Sequence, residues 1–383
     1  MGNQQAVRRL TTDVLVVGGG PAGLSAAIAL RQKGIDCVIV EALSPAIDKA
    51  CGEGLMPDAL ATLASLGVEI TERDGYSFRG IRFANSVYQV DAHFPHGTGI
   101  GVRRTRLHSS LAEHARTTGA RMLWNSRLKL LAQNSALVNG EEIKFRWLVG
   151  ADGQASFVRR WAGLDAHRKE SLRYGFRRHY QIKPWSEYVE VHWGPAGQVY
   201  VTPIAPDCLC VVYITRDRHS NRREILGDFP EIARRLHCAP VLSHQQGAVS
   251  ATRRLHQVAN SSVALIGDAS GSADAITGEG LAMTFRQAQE LANAIEAGSL
   301  ESYCHAHEDI SRLPHAMGAL MLTMDRWPAL EIRAMRALAS NPALFRELLS
   351  VHMGVKSLLG FAVRRGPQLG WNLLSNHIRA QEG

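Results

Sequence analysis

No stretch of about 18 or more apolar residues occurs anywhere in the chain, so nothing in it reads as a membrane-spanning helix. Cysteine is scarce: six in 383 residues, without a paired spacing pattern. The opening MGNQQAVRRL leads into a short strand instead of an apolar signal core. Both features fit a reducing compartment and an expected cytoplasmic location. Cys208 and Cys210 share one face of a predicted strand and read as small buried hydrophobes, not as a redox pair. Also missing are a Cys or His cluster at metal spacing, a GxSxG elbow and a GxxxxGK[ST] loop, so no metal is expected and hydrolase or P-loop chemistry is disfavoured. Low-complexity tracts and fixed-period repeats are absent too, and 45% hydrophobic with 20% charged residues is the balance of a folded globular protein.

Acidic residues are the minority, 35 against 43 basic, for a formal charge of +8. Much of the excess lies in scattered pairs, Arg103-Arg104, Arg159-Arg160, Arg177-Arg178 and Arg253-Arg254, with no basic helix interleaved with aromatics. That footprint does not suit nucleic acid, and anionic cofactors account for the balance equally well. The length leaves room for a cofactor domain and a substrate domain.

What is present begins at residues 12–41, TDVLVVGGGPAGLSAAIALRQKGIDCVIVE. Val14 to Val17 form a β-branched apolar run suited to a strand buried on both faces. Gly18, Gly20 and Gly23 follow in GxGxxG spacing. Pro21 and Ala22 open a helix that runs to about Lys33 and is stopped by Gly34. A second strand, Cys37 to Val40, ends on Glu41 and Ala42. Gly18 permits the tight turn, Gly20 lets a pyrophosphate approach the backbone, and Gly23 lets helix and strand pack closely. The helix N-terminus offers free N–H groups and a positive dipole end to phosphates, while the Glu41 carboxylate can accept from ribose hydroxyls. This much establishes a dinucleotide site without choosing the dinucleotide.

Two later segments narrow the choice. FRWLVGADGQASFVRRWAG carries a strand, Leu148 to Val149, into Gly150, Asp152 and Gly153. SVALIGDASGSADAITGEGLAMTFRQAQELANAI carries a strand, Val263 to Ile266, into Gly267-Asp268, and then a loop with Gly278, Glu279, Gly280 and Leu281 that opens a helix ended by Gly298. With the first motif, from about residue 12 to 300, these segments resemble the glutathione-reductase-type flavoproteins of the p-hydroxybenzoate hydroxylase class, which include aromatic hydroxylases, geranylgeranyl reductases and flavin halogenases. The resemblance implies non-covalent FAD, with Asp268 on the ribityl chain and Asp152-Gly153 near the pyrophosphate in a segment linked to NAD(P)H use. It also implies that Arg104 lies on a helix beside the cofactor. NAD(P)H would then be a transient reductant, since only one GxGxxG site exists and FAD fills it.

The expected fold is α/β: a Rossmann-type FAD-binding domain (1–74, 98–168 and 257–312) with a parallel sheet, interrupted by an antiparallel substrate-binding sheet (75–97 and 169–256), with C-terminal helices (313–383). VEVHWGPAGQVYVTPIAP alternates like a hairpin turning at Gly194-Pro195-Ala196-Gly197. Halogenases carry GWxWxIP at this position, and GQVYVTP lacks both tryptophans, which disfavours halogenation. Tyr200 and Pro203 are candidate lining residues, Tyr200 also a candidate catalytic one. His179, Tyr180, His192 and Tyr213 are further acid–base candidates or simply satisfied polar residues of a sheet.

Thr277 in TGEG, and the Cys51-Gly52 pair in DKACGEGLMP, look like the geranylgeranyl reductases. Cys51 then either contacts flavin or substrate as a proton donor or is an inert loop thiol. The C-terminal segment, with Lys356, Arg364, Arg365 and Arg379 among apolar clusters, reads either as a cap over the substrate mouth or as a basic amphipathic surface that docks on a membrane. The favoured reaction is hydroxylation of a hydrophobic aromatic or polyketide-like molecule in a dry pocket. The alternatives are reduction of an isoprenoid carbon–carbon double bond with Cys51 as acid, and an FAD-binding protein without turnover.

Overall fold

A computed structural model describes residues 9–132, 134–217 and 226–374; the first eight residues and the tail carrying Arg379 lie outside the described residues. The strand Arg9–Val17 is the centre of the first sheet, and its last four residues are almost wholly excluded from water. It pairs in parallel with Cys37–Val40 on one side and Glu141–Gly150 on the other. Arg121–Leu123 lies beyond Cys37–Val40, and Val263–Leu265 beyond Glu141–Gly150, both again parallel. Such doubly covered strands read as continuous apolar runs, which is why all but Arg121–Leu123 were legible in part or whole. Two antiparallel strands that were not expected, Leu128–Ala132 and Ser135–Val138, extend the Glu141–Gly150 edge.

The helix Pro21–Gln32 starts with proline at its first position and is followed by Gly34 at φ 74°. It packs on the first sheet beside the helix Gly280–Ala297, whose C-cap Gly298 is left-handed at φ 80°.

The second sheet has eight strands, in the order Gly271–Ser272, Gln246–Leu255, His167–Gln181, Cys208–Thr215, Gly197–Ala205, Tyr188–Gly194, Gly80–Ala84 and Gln89–His93. The hairpin expected at residues 194–197 is present, with Gly194 opposite Gly197. One correction concerns strand direction: Gly80–Ala84 runs parallel to Tyr188–Gly194. The insert forms its own hairpin with Gln89–His93 and docks beside a strand to which no turn connects it, so nothing forces the antiparallel sense.

Four helices follow: Glu301–Arg326, Pro328–Ser340, Pro342–His352 and Leu358–Leu374. The first runs unbroken through residues 312 and 313, where a boundary was expected, and holds Pro314 in its interior. Its N-terminal part is stapled to the first sheet by Tyr303, whose hydroxyl donates to the Leu265 carbonyl at 2.6 Å, and by His307, 2.9 Å from Ser270 Oγ. Among the described residues no helix is long and apolar enough to cross a membrane.

Candidate active site

Three loops, one from each motif, converge at the start of the helix Pro21–Gln32. Gly18 sits at φ 111°, and a Cβ there would overlap the carbonyl oxygen of Ala151, so the first motif lies directly on the second. A Cβ on Gly23 would overlap the Gly18 carbonyl, which is the close helix–strand contact this spacing serves. Gly267, at φ 61°, brings the third motif against the same helix: a Cβ on it would lie 2.8 Å from that of Ala22. Gly20 is different. No protein atom lies within 4 Å of where its Cβ would be, so the space before the helix N-terminus is open to an anion.

Around that opening the polar groups are arranged as a dinucleotide requires. Glu41 accepts from the N–H of Gly19 at 2.7 Å and of Leu43 at 2.9 Å, which orients its carboxylate and leaves lone pairs free for hydroxyls. Asp268 lies on the cavity wall, ion-paired at 3.0 Å with Lys49, a partner the sequence did not suggest. Arg104 begins the helix Arg104–Thr117 and lines the cavity, and its Nε is buried without a partner among the described residues. An orphaned cationic donor beside an open helix N-terminus is what an absent anionic cofactor leaves behind. The donor set therefore fits FAD.

Three expected residues have partners or positions that the sequence did not indicate. The Asp152 carboxylate accepts from Ser156 Oγ at 2.5 Å and from the N–H groups of Phe157 and Val158 at 2.6 and 3.0 Å, capping the short helix Phe157–Trp161. It serves the loop's shape, and Gly153 is its neighbour on the wall. Glu279 lies off the cavity wall, although Gly278 and Gly280 line it. It is buried against His352, 3.3 Å away, and burial pushes its carboxyl up against the pull of that histidine. Pro203 turns its carbonyl toward Gly101 and does not line the cavity.

A continuous cavity of ≈ 1140 Å³ runs from this cradle into the space between the second sheet and the C-terminal helices. Most small-molecule sites hold roughly 300 to 1,000 Å³. The volume suits a dinucleotide and a substantial second molecule together. Ala42, Cys51, Gly52 and Leu281 also line it. Beyond them the wall is apolar: Val189, Val191, Val212 and Ile214 rise from the sheet. Met317, Met321 and Met324 descend from one helix, and Leu338, Phe345 and Phe361 from the next three. The C-terminal segment thus forms the roof of the chamber.

Cys51 stands where cradle and chamber join, its Sγ accepting from the Glu53 N–H at 3.4 Å. Below it is a buried ionic cluster that sequence reasoning missed. Arg177 reaches Asp48 at 2.8 Å and Glu53 at 3.0 Å, His179 Nε2 is 2.7 Å from the other Glu53 oxygen, and His179 Nδ1 is 2.8 Å from Ser243 Oγ. Burial pushes the Glu53 carboxyl up, but the hydrogen bond and charge of His179, the Arg104 N–H and Arg177 outweigh it and hold the group below its ordinary value. Glu53, His179 and Cys210 present ligand atoms within 4.8 Å of one another. Arg177 already supplies the positive charge there, so the group is complete as an ion cluster.

Of the other acid–base candidates, Tyr180 and Tyr213 meet each other at 3.3 Å away from the cavity, and His192 pairs with Glu190 at 2.8 Å. Neither they nor His179 line the chamber. Tyr200 does, and burial pushes its phenol up, so it stays protonated.

A family model described as FAD binding domain matches residues 11–301. Among curated proteins, a menaquinone reductase of Mycobacterium tuberculosis is 31% identical over 205 residues, covering 49% of this chain and 50% of that protein. The chain thus spans about half the length of that relative. A menaquinone reductase of Mycolicibacterium smegmatis is 26% identical over 356 residues, 82% of this chain and 85% of the relative. A digeranylgeranylglycerophospholipid reductase of Methanosarcina acetivorans is 27% identical over 327 residues, 78% of this chain and 76% of the relative. Among solved structures, a flavoprotein/dehydrogenase from Cytophaga hutchinsonii superposes with TM-score 0.81 at 18% identity, covering 97% of this chain and 100% of that one. The flavin-dependent brominase Bmp2 superposes with TM-score 0.76 at 19% identity, covering 90% and 94%. At such identities the structural likeness speaks to the fold alone.

Proposed function

Since the chain belongs to the FAD-binding-domain family and its curated relatives include a menaquinone reductase and a digeranylgeranylglycerophospholipid reductase, we propose that it reduces a carbon–carbon double bond in a long apolar, isoprenoid-like substrate, with NAD(P)H as transient reductant. The observation that carries this reading is the apolar chamber, continuous with the cofactor cradle and joined to it at Cys51. The names of the curated relatives support it, as does the TGEG loop at Thr277.

When bound, FAD supplies the electron pair. The remaining work falls on the chain. The sheet and roof hold the hydrocarbon and keep water out, so that the bond to be reduced is presented at the mouth of the cradle. The Cys51 thiol, on the wall at that mouth, gives its proton to the carbon that does not receive the hydride, and is then reprotonated from solvent. Lys49 balances the Asp268 carboxylate within the cradle.

Hydroxylation is the second reading, and the buried, protonated Tyr200 on the chamber wall keeps it in place, since a dry wall with one phenol suits an aromatic substrate as well. We assign substrate binding to 75–97 and 169–256, with the roof contributed from 313 onward. We also assign to the outer side of the last helix a membrane contact: Leu359 and Val363 are 78% and 77% exposed there, next to Lys356 and Arg364. Arg365 instead pairs with Glu347 at 2.5 Å.

The test is turnover with NADPH on phenolic, polyketide and polyprenyl compounds, with and without oxygen and with and without anionic vesicles. The expected product gains two hydrogens without oxygen, forms faster with vesicles, and is lost in Cys51→Ser. A product carrying an atom from labelled O₂ would overturn reduction in favour of hydroxylation.

A further inference from the structure

The chamber is mostly apolar, and one corner of it holds buried polar atoms that are not satisfied. There the Tyr200 hydroxyl, Asp274 Oδ2 and Arg173 Nε are buried without hydrogen-bond partners among the described residues. Tyr200 and Asp274 both line the cavity, at 8% and 1% exposure. Buried polar atoms in native proteins are paired in the great majority of cases. Two orphans on one stretch of cavity wall mark a place that a ligand completes.

The other atoms of the corner are committed to one another. Asp274 Oδ1 accepts from the Ile276 N–H at 3.0 Å and faces Arg173 at 3.4 Å. Arg173 donates to Gln198 Oε1 at 2.8 Å and lies 3.4 Å from Asp325, which also holds Arg216 and the Gln198 amide. Two arginines face two aspartates, so the formal charges cancel. A charged headgroup would unbalance that set in a water-poor site, whereas a neutral hydrogen-bonding group would not. Tyr200 lies in the field of Arg173, Asp274 and Asp325, and its proton is available to donate. Burial pushes the Asp274 carboxyl up against the attraction of Arg173, and its Oδ2 keeps lone pairs free to accept a hydrogen bond.

We infer that this corner binds a neutral hydroxyl at the end of a substrate whose remainder is hydrocarbon, with Tyr200 donating to its oxygen and Asp274 Oδ2 accepting from its hydrogen. The inference rests on the apolar-substrate reading and narrows it to amphiphiles with one uncharged oxygen end. Tyr200 is then a specificity residue, and the corner fixes which way round the chain enters.

The experiment compares binding of an n-alkan-1-ol and the n-alkane of equal length, both delivered in cyclodextrin, to the FAD-loaded protein. The alcohol should bind about tenfold more tightly, and Tyr200→Phe and Asp274→Asn should each erase most of that margin while leaving alkane affinity and FAD content unchanged. Equal affinities in the wild type, or an undiminished preference in both variants, would overturn the inference. Loss of FAD from Tyr200→Phe would overturn it too, by assigning the corner to the cofactor. If neither ligand binds, the apolar-substrate reading fails and takes this inference with it.

Discussion

The cradle and the chamber share one cavity but are built by different means. The cradle is made of backbone: glycines that allow close approach, N–H groups at a helix start, and a few carboxylates at strand ends, nearly all within three short segments. The chamber is made of side chains drawn from most strands of the second sheet and from four helices, none of which carries a recognisable motif. Backbone geometry restricts which residues are tolerated, so it leaves a signature in the sequence. An apolar wall accepts many hydrophobes of suitable size, so it leaves only a composition.

The largest effect should come from breaking the cradle where it is tightest. Gly23→Val forces helix and strand apart at the Gly18 carbonyl, and the purified protein should contain no FAD and be destabilised by about 3 kcal/mol or more. Gly20→Ala should separate binding from folding: its Cβ meets no protein atom and its φ of −73° suits alanine, so the apoprotein should melt as wild type while FAD affinity falls. If Gly20→Ala binds FAD normally, the opening in front of the helix is not where the pyrophosphate lies.

A smaller effect should follow from filling the chamber. Ile214 is 3% exposed and lines it, so Ile214→Trp should raise KM for an apolar substrate about tenfold. FAD content, measured by absorbance after acid release, should not change. Parallel loss of both would show that the two regions are one structural unit.

The smallest effect tests the joint between them. His307, at Ser270, is held neutral by burial, with its pKa pushed down from 6.5 to about 4. A base with a depressed folded pKa contributes its full stability above its unfolded value and loses it as protons bind more readily to the unfolded chain. The melting temperature should therefore fall by a few degrees as pH drops from 6.5 toward 4, and His307→Gln should flatten that limb. An unchanged slope would place His307 in contact with solvent.

The same division decides what the sequence could reveal. Cys37–Val40 and the Gly280–Ala297 helix were legible almost to the residue, because a doubly buried strand and a glycine-bounded amphipathic helix each carry their own periodicity. The cradle carboxylates Glu41 and Asp268 were legible from their strand-terminal positions. Glu53 was not, for it sits between two glycines at φ 60° and takes its meaning from Arg177 and His179, more than a hundred residues away. Asp152 lies on the cavity wall, and what the sequence did not show is that a short helix one turn later takes its oxygens. The corner of Asp274, Arg173 and Asp325 draws on three separated segments and shows no pattern in any of them.

The parallel pairing of Gly80–Ala84 with Tyr188–Gly194 also bears on how the chain reaches this state. Between those strands in sequence lie the helix Arg104–Thr117 and the strand Glu141–Gly150, both parts of the cofactor half. The insert hairpin can form early and locally, yet its docking must wait for a long loop to close, and such pairings are slow to form because their entropy is lost before contacts return it. Until then the Tyr188–Gly194 edge stands open to wrong partners. Docking of the insert hairpin is thus favoured once the cofactor half has folded and drawn the loop's ends together, and a chain cut between Phe94 and Glu187 leaves each piece with one strand of a pair the other piece holds.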